Sequence, residues 1–182
     1  MNVRPLIACS AAIVLFAATQ LFAQCDKPQT KLDEKAESEL SALVSQAMSC
    51  SGNADCGSYL GKALKAAYGV DIGGKTAHDL IKGIKSDSGW SDLGAGNDQA
   101  VLDKGQQAAN CKQAVIAVWV GADGSGHAVL LLPGNEVSSS TWKLKVPNAA
   151  SFFVNNPKKS YAGKPMSYAF TGSSGVELYQ KK

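Results

Sequence analysis

Residues 114–134 read AVIAVWVGADGSGHAVLLLPG, and this stretch carries the clearest strand pattern in the chain. Its first part, AVIAVWV (114–120), is apolar and β-branched, as a buried strand is. GADGSG (121–126) has the composition of a turn, and HAVLLLPG (127–134) predicts a second strand that ends in another turn. The stretch therefore predicts two core strands of a β-sheet.

The residues before this stretch carry helical patterns. Apolar side chains recur every three or four residues, most clearly through 29–49, with acidic residues and lysines between them. Thr30 can cap the first helix, Gly69 can end the second, and Thr76 can cap the third. We expect helices at 29–49, at about 56–68, at AHDLIKGIK (77–85) and near 98–109.

The residues after the stretch predict further strands. EVSSSTWKLKVP (136–147), SYAF (167–170) and VELYQ (176–180) have the composition of shorter strands. A chain whose helices come first and whose strands follow indicates an α+β domain. We therefore predict N-terminal helices packed on an antiparallel β-sheet.

Length and composition suit one domain and exclude several classes of protein. The chain has 182 residues, of which 45% are hydrophobic and 18% are charged, so it is neither disordered, collagenous nor a coiled coil. This length allows a single domain with a sizeable core. The net charge is +3 and the charges are interspersed, which argues against a nucleic-acid surface.

The first 23 residues have the three regions of a secretory signal peptide. A single charged residue is followed by an apolar run from Leu6 to Phe16 and then by a more mixed segment with small residues, although Leu21 is large for a position before the cleavage site. We expect cleavage after Ala23, so that 24–182 form the exported domain, periplasmic or secreted, with no further membrane-spanning segment. A lipoprotein would use Cys25, but the residue before it is not the small one that such processing needs.

Export changes what the cysteines do. Cys9 leaves with the signal peptide, and four others remain: Cys25, Cys50, Cys56 and Cys111. In an oxidising compartment four cysteines form two disulfides by default, with three connectivities open to them. A zinc site is disfavoured because the chain has no close Cys-x-x-Cys pair and only two histidines. We therefore expect no metal.

Two residues stand out as candidates for catalysis, Cys56 and His127. A thiol at the junction of a polar loop and a helix lies near the positive end of the helix dipole, which stabilises the thiolate. His127 begins a strand directly after a glycine turn, where its ring can lie at the rim of the sheet. A nucleophilic cysteine with a histidine base is a standard means of cleaving an amide.

Each of these residues also has a simpler interpretation. In an exported chain a cysteine at such a spacing is more often half of a disulfide than a free nucleophile, and this holds for Cys56. Position alone makes His127 more often a strand-end residue with a satisfied ring. His78 competes as the base, although its place in an amphipathic helix is more typical of a surface residue.

The order of these elements resembles the papain-like cell-wall amidases and endopeptidases of the NlpC type. It is most similar to the small amidases that bacteria use as type VI secretion effectors. The resemblance covers most of the exported domain. It is carried by NADCGSYLGKALKAAYGV (53–70), TAHDLIKGI (76–84) with Trp90, VIAVWVGADGSGHAVLLLPG (115–134) and WKLKVPNAASFF (142–153).

The resemblance implies a papain-like fold and hydrolysis of amide bonds in peptidoglycan stem peptides or cross-links. Carried over by position, Cys56 is the nucleophile, and His127 is the general base and later the general acid. The resemblance implies no cofactor. We expect a monomer whose partners are peptidoglycan peptides and a proteinaceous inhibitor; the charge pattern and the lack of a further long apolar run predict neither a nucleic-acid partner nor a membrane span.

The family has a third polar residue that orients the imidazole, on the strand after the histidine strand. A hairpin folded about Gly134 would place Thr141 opposite His127, with Ser140 adjacent, so we predict Ser140 as the third catalytic residue. The chain departs from the family here, because a hydroxyl occupies a place where His, Asn or Asp is more usual. Three other candidates for this role lie nearby in the sequence: Asn135, Glu136 and Asn148.

A different class of function stays open. With Cys56 as a free nucleophile, one of the other three cysteines has no partner, which is unusual in an oxidising compartment. Two disulfides, one of them through Cys56, would instead indicate a non-catalytic, disulfide-stapled periplasmic protein. Such a protein would be an inhibitor of wall amidases or a wall-binding module.

The C-terminal part of the chain is rich in lysine, with Lys158, Lys159, Lys164, Lys181 and Lys182. Such residues can face an anionic polymer of the cell wall. A solvated surface is the more common reason for a run of this kind.

Overall fold

A computed structural model describes residues 25–51 and 56–182 of the chain. The predicted signal peptide at 1–23 lies outside the described residues. Within them, helices and antiparallel strands form a mixed α+β structure, as the order of the sequence patterns predicts.

The described residues form four α-helices, at the predicted places: α1 (Glu34–Met48), α2 (Tyr59–Tyr68), α3 (Ala77–Gly83) and α4 (Gln99–Asn110). A capping box fixes the start of α3, in which Thr76 accepts from the N–H of Asp79 and Asp79 accepts from the N–H of Thr76. Helix α2 ends at Gly69, whose φ of 70° is the left-handed conformation that glycine adopts readily. Asp33 rather than Thr30 caps α1, because the helix begins later than its apolar pattern.

Six strands form the main sheet: β1 (Trp90–Ala95), β2 (Val115–Val120), β3 (Gly126–Leu131), β6 (Asn148–Ser151), β7 (Tyr161–Pro165) and β8 (Val176–Lys181). Their order is β1-β8-β2-β3-β6-β7, and every neighbouring pair is antiparallel. Two short strands, β4 (Val137–Ser139) and β5 (Leu144–Val146), form a separate hairpin. The two apolar strands within residues 114–134 therefore lie at the centre of the sheet.

Two strand predictions after position 134 are wrong in detail. The segment 136–147 is not one strand but the β4–β5 hairpin, and the adjoining β6 takes the place beside β3. The segment 167–170 is not a strand, because Met166–Tyr168 form a turn of 3₁₀-helix directly after Pro165. The strand of that region is β7, which ends at the same proline.

The side chains of β3 divide the interior into two cores. Ala128 and Leu130 pack against α1, α2 and α3 in what we call the first core. Val129 and Leu131 point to the other face and pack with α4 in the second core. The alternation of a β-strand makes this division, since successive side chains leave opposite faces of the sheet.

Helix α4 holds the chain where it leaves β3. Gln106 is buried, and its Nε2 donates to the carbonyl of Leu132 at 2.9 Å. Asn110 accepts from the N–H of Gly134 at 2.8 Å and donates to the carbonyl of Gly134 at 3.1 Å. These bonds satisfy backbone groups that no sheet neighbour pairs, and they direct the chain towards α4.

Two disulfides join the four cysteines of the described residues. Cys25 bonds to Cys111 across 86 residues, and Cys50 bonds to Cys56 across six. Disulfides of this kind are typical of oxidising compartments. No helix within 25–51 and 56–182 is long and apolar enough to cross a membrane.

The two disulfides are expected to differ in their contribution to stability. In the chain-entropy account, a loop of 86 residues contributes about 4 to 5 kcal/mol and a loop of six about 2 kcal/mol, because the longer loop restricts the unfolded chain more. Cys25→Ser/Cys111→Ser should therefore lower the free energy of unfolding in urea by more than Cys50→Ser/Cys56→Ser does. Equal losses, or a larger loss at the short loop, would contradict this expectation.

Candidate active site

His127 lies near the start of β3, in a partly buried position among aromatic rings. Its Nε2 lies 2.8 Å from the hydroxyl oxygen of Ser151, which is fully buried on β6. The ring stacks on Phe153 with 4.5 Å between centroids, and the edge contact with Phe170 spans 5.7 Å. The imidazole is therefore fixed by one hydrogen bond and two ring contacts.

This environment favours the neutral imidazole. Burial lowers the pKa of His127 from 6.5 to about 4, because the cation loses its hydration without gaining an acidic partner. A neutral ring has a nitrogen lone pair that can accept a proton. A base with so low a pKa accepts it less readily than one near neutral pH.

The start of α2 lies at the same end of the sheet as His127. Tyr59, the first residue of α2, stacks with Phe152 at 6.0 Å, and Phe152 follows the serine that contacts His127. At the other end of the helix, the hydroxyl of Tyr68 donates to the carbonyl of Leu131 at 2.6 Å, where β3 ends. The helix thus runs alongside β3, and Cys56 precedes it at the histidine end.

The two predicted catalytic side chains nevertheless have other partners. The sulfur of Cys56 is bonded to Cys50, and the cysteine is only 5% exposed. His127 leaves β3 on the face of Val129, towards the second core, whereas α2 packs in the first. The structure brings the two residues to one end of the sheet without joining them. Their catalytic roles stay predictions.

The pairing on which the Ser140 prediction rests is wrong. The strand beside β3 is β6, whose Ser151 is paired with Val129, and not the segment that follows Gly134. Ser140 is exposed and follows β4 in the separate hairpin. The physical reason is that Asn110 on α4 hydrogen-bonds to both backbone groups of Gly134, which directs the chain out of the sheet.

The residue that sequence reasoning missed is Ser151. The signal that would have found it is the short run NAAS between Pro147 and two phenylalanines, since small residues fit a strand between packed neighbours. A strand there, paired with β3, places one serine on the face of His127.

The other candidates for the third role lie away from the ring. The N–H of Asn148 donates to Gln106 on α4 at 2.9 Å. Asn135 and Glu136 line a groove beside the Cys25–Cys111 disulfide. Burial, followed by the nearby carboxylate of Asp103, raises the pKa of Glu136 to about 7.

The structure also bears on the competing base, His78, and on metal binding. His78 is exposed on the first turn of α3. Across the residues that the structure describes, no group of three or more His, Cys, Asp or Glu side chains is arranged to hold a metal ion.

Removing the hydroxyl that contacts His127 should destabilise the fold. Ser151→Ala leaves a buried ring nitrogen without its partner, which costs about 1–3 kcal/mol. Ser140→Ala is the matched control on the exposed hairpin and should change stability by less than about 0.5 kcal/mol. Urea unfolding measures both variants. The geometry is contradicted if the two variants are equally stable.

The buried histidine also predicts a pH dependence of stability. The unfolded chain binds a proton at His127 near pH 6.5 and the folded chain near pH 4, so the stability is fully present above pH 6.5 and is lost as the pH falls towards 4. The loss is about 3 kcal/mol, at about 1.4 kcal/mol per pKa unit. Urea unfolding between pH 4 and 7 should show this part of the slope in the wild type and not in His127→Gln. A midpoint near 6.5 for the His127 proton resonances in the folded protein would contradict the expectation.

Comparisons with known proteins show no family for this chain, so its family stays an expectation from its motifs. No protein-family model matches the chain, and no curated protein matches it. The α+β architecture and the two disulfides are therefore what the structure itself establishes.

Proposed function

We propose that the protein is an exported cysteine hydrolase of papain-like, NlpC-type fold that cleaves amide bonds in peptidoglycan stem peptides or cross-links. In this proposal its nucleophile is stored in the Cys50–Cys56 disulfide. The supporting observation is that the segment carrying Cys56 and the ring of His127 lie at the same end of the central sheet. The order of motifs along the chain supports the same activity.

The oxidised protein has no nucleophile in this proposal, because only a thiolate attacks a carbonyl. A dithiol reductant supplies two electrons and two protons to the disulfide, gives free thiols at Cys50 and Cys56, and is itself oxidised to a disulfide. The segment carrying Cys56 must then move around the end of the sheet, because His127 faces the second core.

The reaction would then follow the usual course for a cysteine hydrolase. His127 takes the proton of the Cys56 thiol, and the thiolate attacks the amide carbonyl while backbone N–H groups beside Cys56 stabilise the oxyanion. The protonated His127 donates to the leaving amine as the C–N bond breaks. Water then hydrolyses the thioester, which releases the acid and restores the thiol.

A second function is favoured by the disulfide itself. Cys56 forms a disulfide with Cys50, and His127 forms a hydrogen bond with Ser151. Both side chains therefore have partners in the described structure without any rearrangement. That arrangement suits a non-catalytic, disulfide-stapled exported protein, such as a wall-binding module or an inhibitor of wall amidases. The two functions differ in what a free thiol at Cys56 does.

The hydrolase is tested by freeing that thiol without disturbing the other disulfide. Purified exported protein is incubated with peptidoglycan sacculi, and released fragments are analysed by mass spectrometry. Cys50→Ala leaves Cys56 reduced and Cys25–Cys111 intact, so it should release fragments without a reductant. The wild type should do so only after treatment with dithiothreitol, and Cys56→Ala under neither condition. The fragment masses would identify the bond that is cut.

Two histidine variants separate the base from the fold. In the Cys50→Ala background, His127→Ala should abolish cleavage, whereas His78→Ala should leave most of it because His78 lies exposed on α3. If Cys50→Ala carries a free thiol at Cys56, shown by labelling, and still releases nothing, the hydrolase is ruled out and the non-catalytic function stands. Full activity of His127→Ala would refute the dyad alone.

A further inference from the structure

A groove of about 690 Å³ lies between the C-terminal part of α1 and strand β7. Val44, Met48 and Phe153 give it an apolar floor, and three lysines line it without any acidic residue: Lys158, Lys159 and Lys164. We call it the lysine groove. Its volume is in the range of about 300–1,000 Å³ that small-molecule sites occupy.

The lysines of the groove are available to an anionic ligand. The ammonium group of Lys164 lies 5.7 Å from the ring centre of Tyr161 and 5.9 Å from that of Tyr168, which is within the range of a cation–π contact with both rings. Lys158 and Lys159 are exposed on the short turn before β7. No salt bridge within the described residues engages any of the three.

Apolar surface is exposed in the same groove. Tyr168 is 68% exposed and Met48 is 42% exposed, so both present apolar surface to solvent. A ligand that covers them must present apolar groups beside its negative charges. A short acidic peptide with alanine methyl groups between its carboxylates has this chemistry.

The groove adjoins the candidate active site through one side chain. Phe153 lines the groove, and its ring also stacks on the imidazole of His127 at 4.5 Å. The groove and the imidazole thus share one aromatic side chain, although His127 itself does not line the groove.

We propose that the lysine groove binds the carboxylates of a short acidic peptide, the stem peptide of peptidoglycan. This proposal rests on the proposed function for the identity of the peptide. The lysines recognise its carboxylates, and the apolar floor packs against its alanine methyl groups.

Binding can be measured on the oxidised wild type, which has no free thiol at Cys56 and leaves the peptide uncut. The probe is the stem tetrapeptide released from sacculi, titrated by calorimetry at low salt, beside the same peptide with its carboxylates amidated. Lys164→Gln should weaken binding about 2- to 5-fold, and the triple change Lys158→Gln/Lys159→Gln/Lys164→Gln at least about 10-fold. Lys27→Gln, an exposed lysine beside the Cys25–Cys111 disulfide, is the matched control and should leave binding unchanged. Added salt and amidation should both weaken binding.

The proposal is overturned if the tetrapeptide does not bind, or if the triple variant binds it as tightly as the wild type. It is also overturned if lysine-dependent binding appears with vesicles of anionic phospholipid and not with the peptide. Lysine-dependent peptide binding without cleavage by Cys50→Ala would support the groove and refute the hydrolase. Cleavage by Cys50→Ala with a KM that the three lysine changes leave unaltered would refute the groove and support the hydrolase.

Discussion

The alternation of side chains along β3 determines which residues enter each of the two cores. The strand is buried on both faces, so its even-numbered residues must enter the first core and its odd-numbered residues the second. A shift of one residue would move every one of them to the wrong face. The pairing of Trp119 with His127 fixes this register against β2. Position 127 is therefore directed to the second core by the apolar residues that follow it.

That constraint explains why the candidate site is divided. Cys56 lies at the histidine end of the sheet because it precedes α2, whose apolar side fills the first core. The same packing leaves His127 on the other face, where Ser151 and two phenylalanines hold it. In the oxidised form Cys56 therefore lies on one face of the sheet, whereas a dyad with His127 requires it on the other.

The sequence predicted those parts of the fold that depend on local patterns. The four helices and the two central strands follow from periodicity and turn residues, and the capping box at Thr76 fixes one boundary. The partner of β3 was beyond such reasoning, because β6 follows β3 only after the β4–β5 hairpin has packed elsewhere. The serine beside His127 depends on that long-range pairing, so the sequence alone points to Ser140 and not to Ser151. A disulfide at Cys56 is the simpler expectation from the sequence, but its partner, Cys50, depends on how α1 ends beside the start of α2.

The disulfide connectivity is nested, and this affects how the chain can be made. A polypeptide that emerges with its N-terminus first exposes Cys25 while Cys111, its partner 86 residues later, has not yet emerged. Cys50 and Cys56 appear earlier, and pairing in order of emergence would join Cys25 to Cys50. The native arrangement requires Cys25 either to stay reduced until Cys111 arrives or to exchange an earlier partner. The yield of native protein therefore depends on thiol–disulfide exchange during its synthesis.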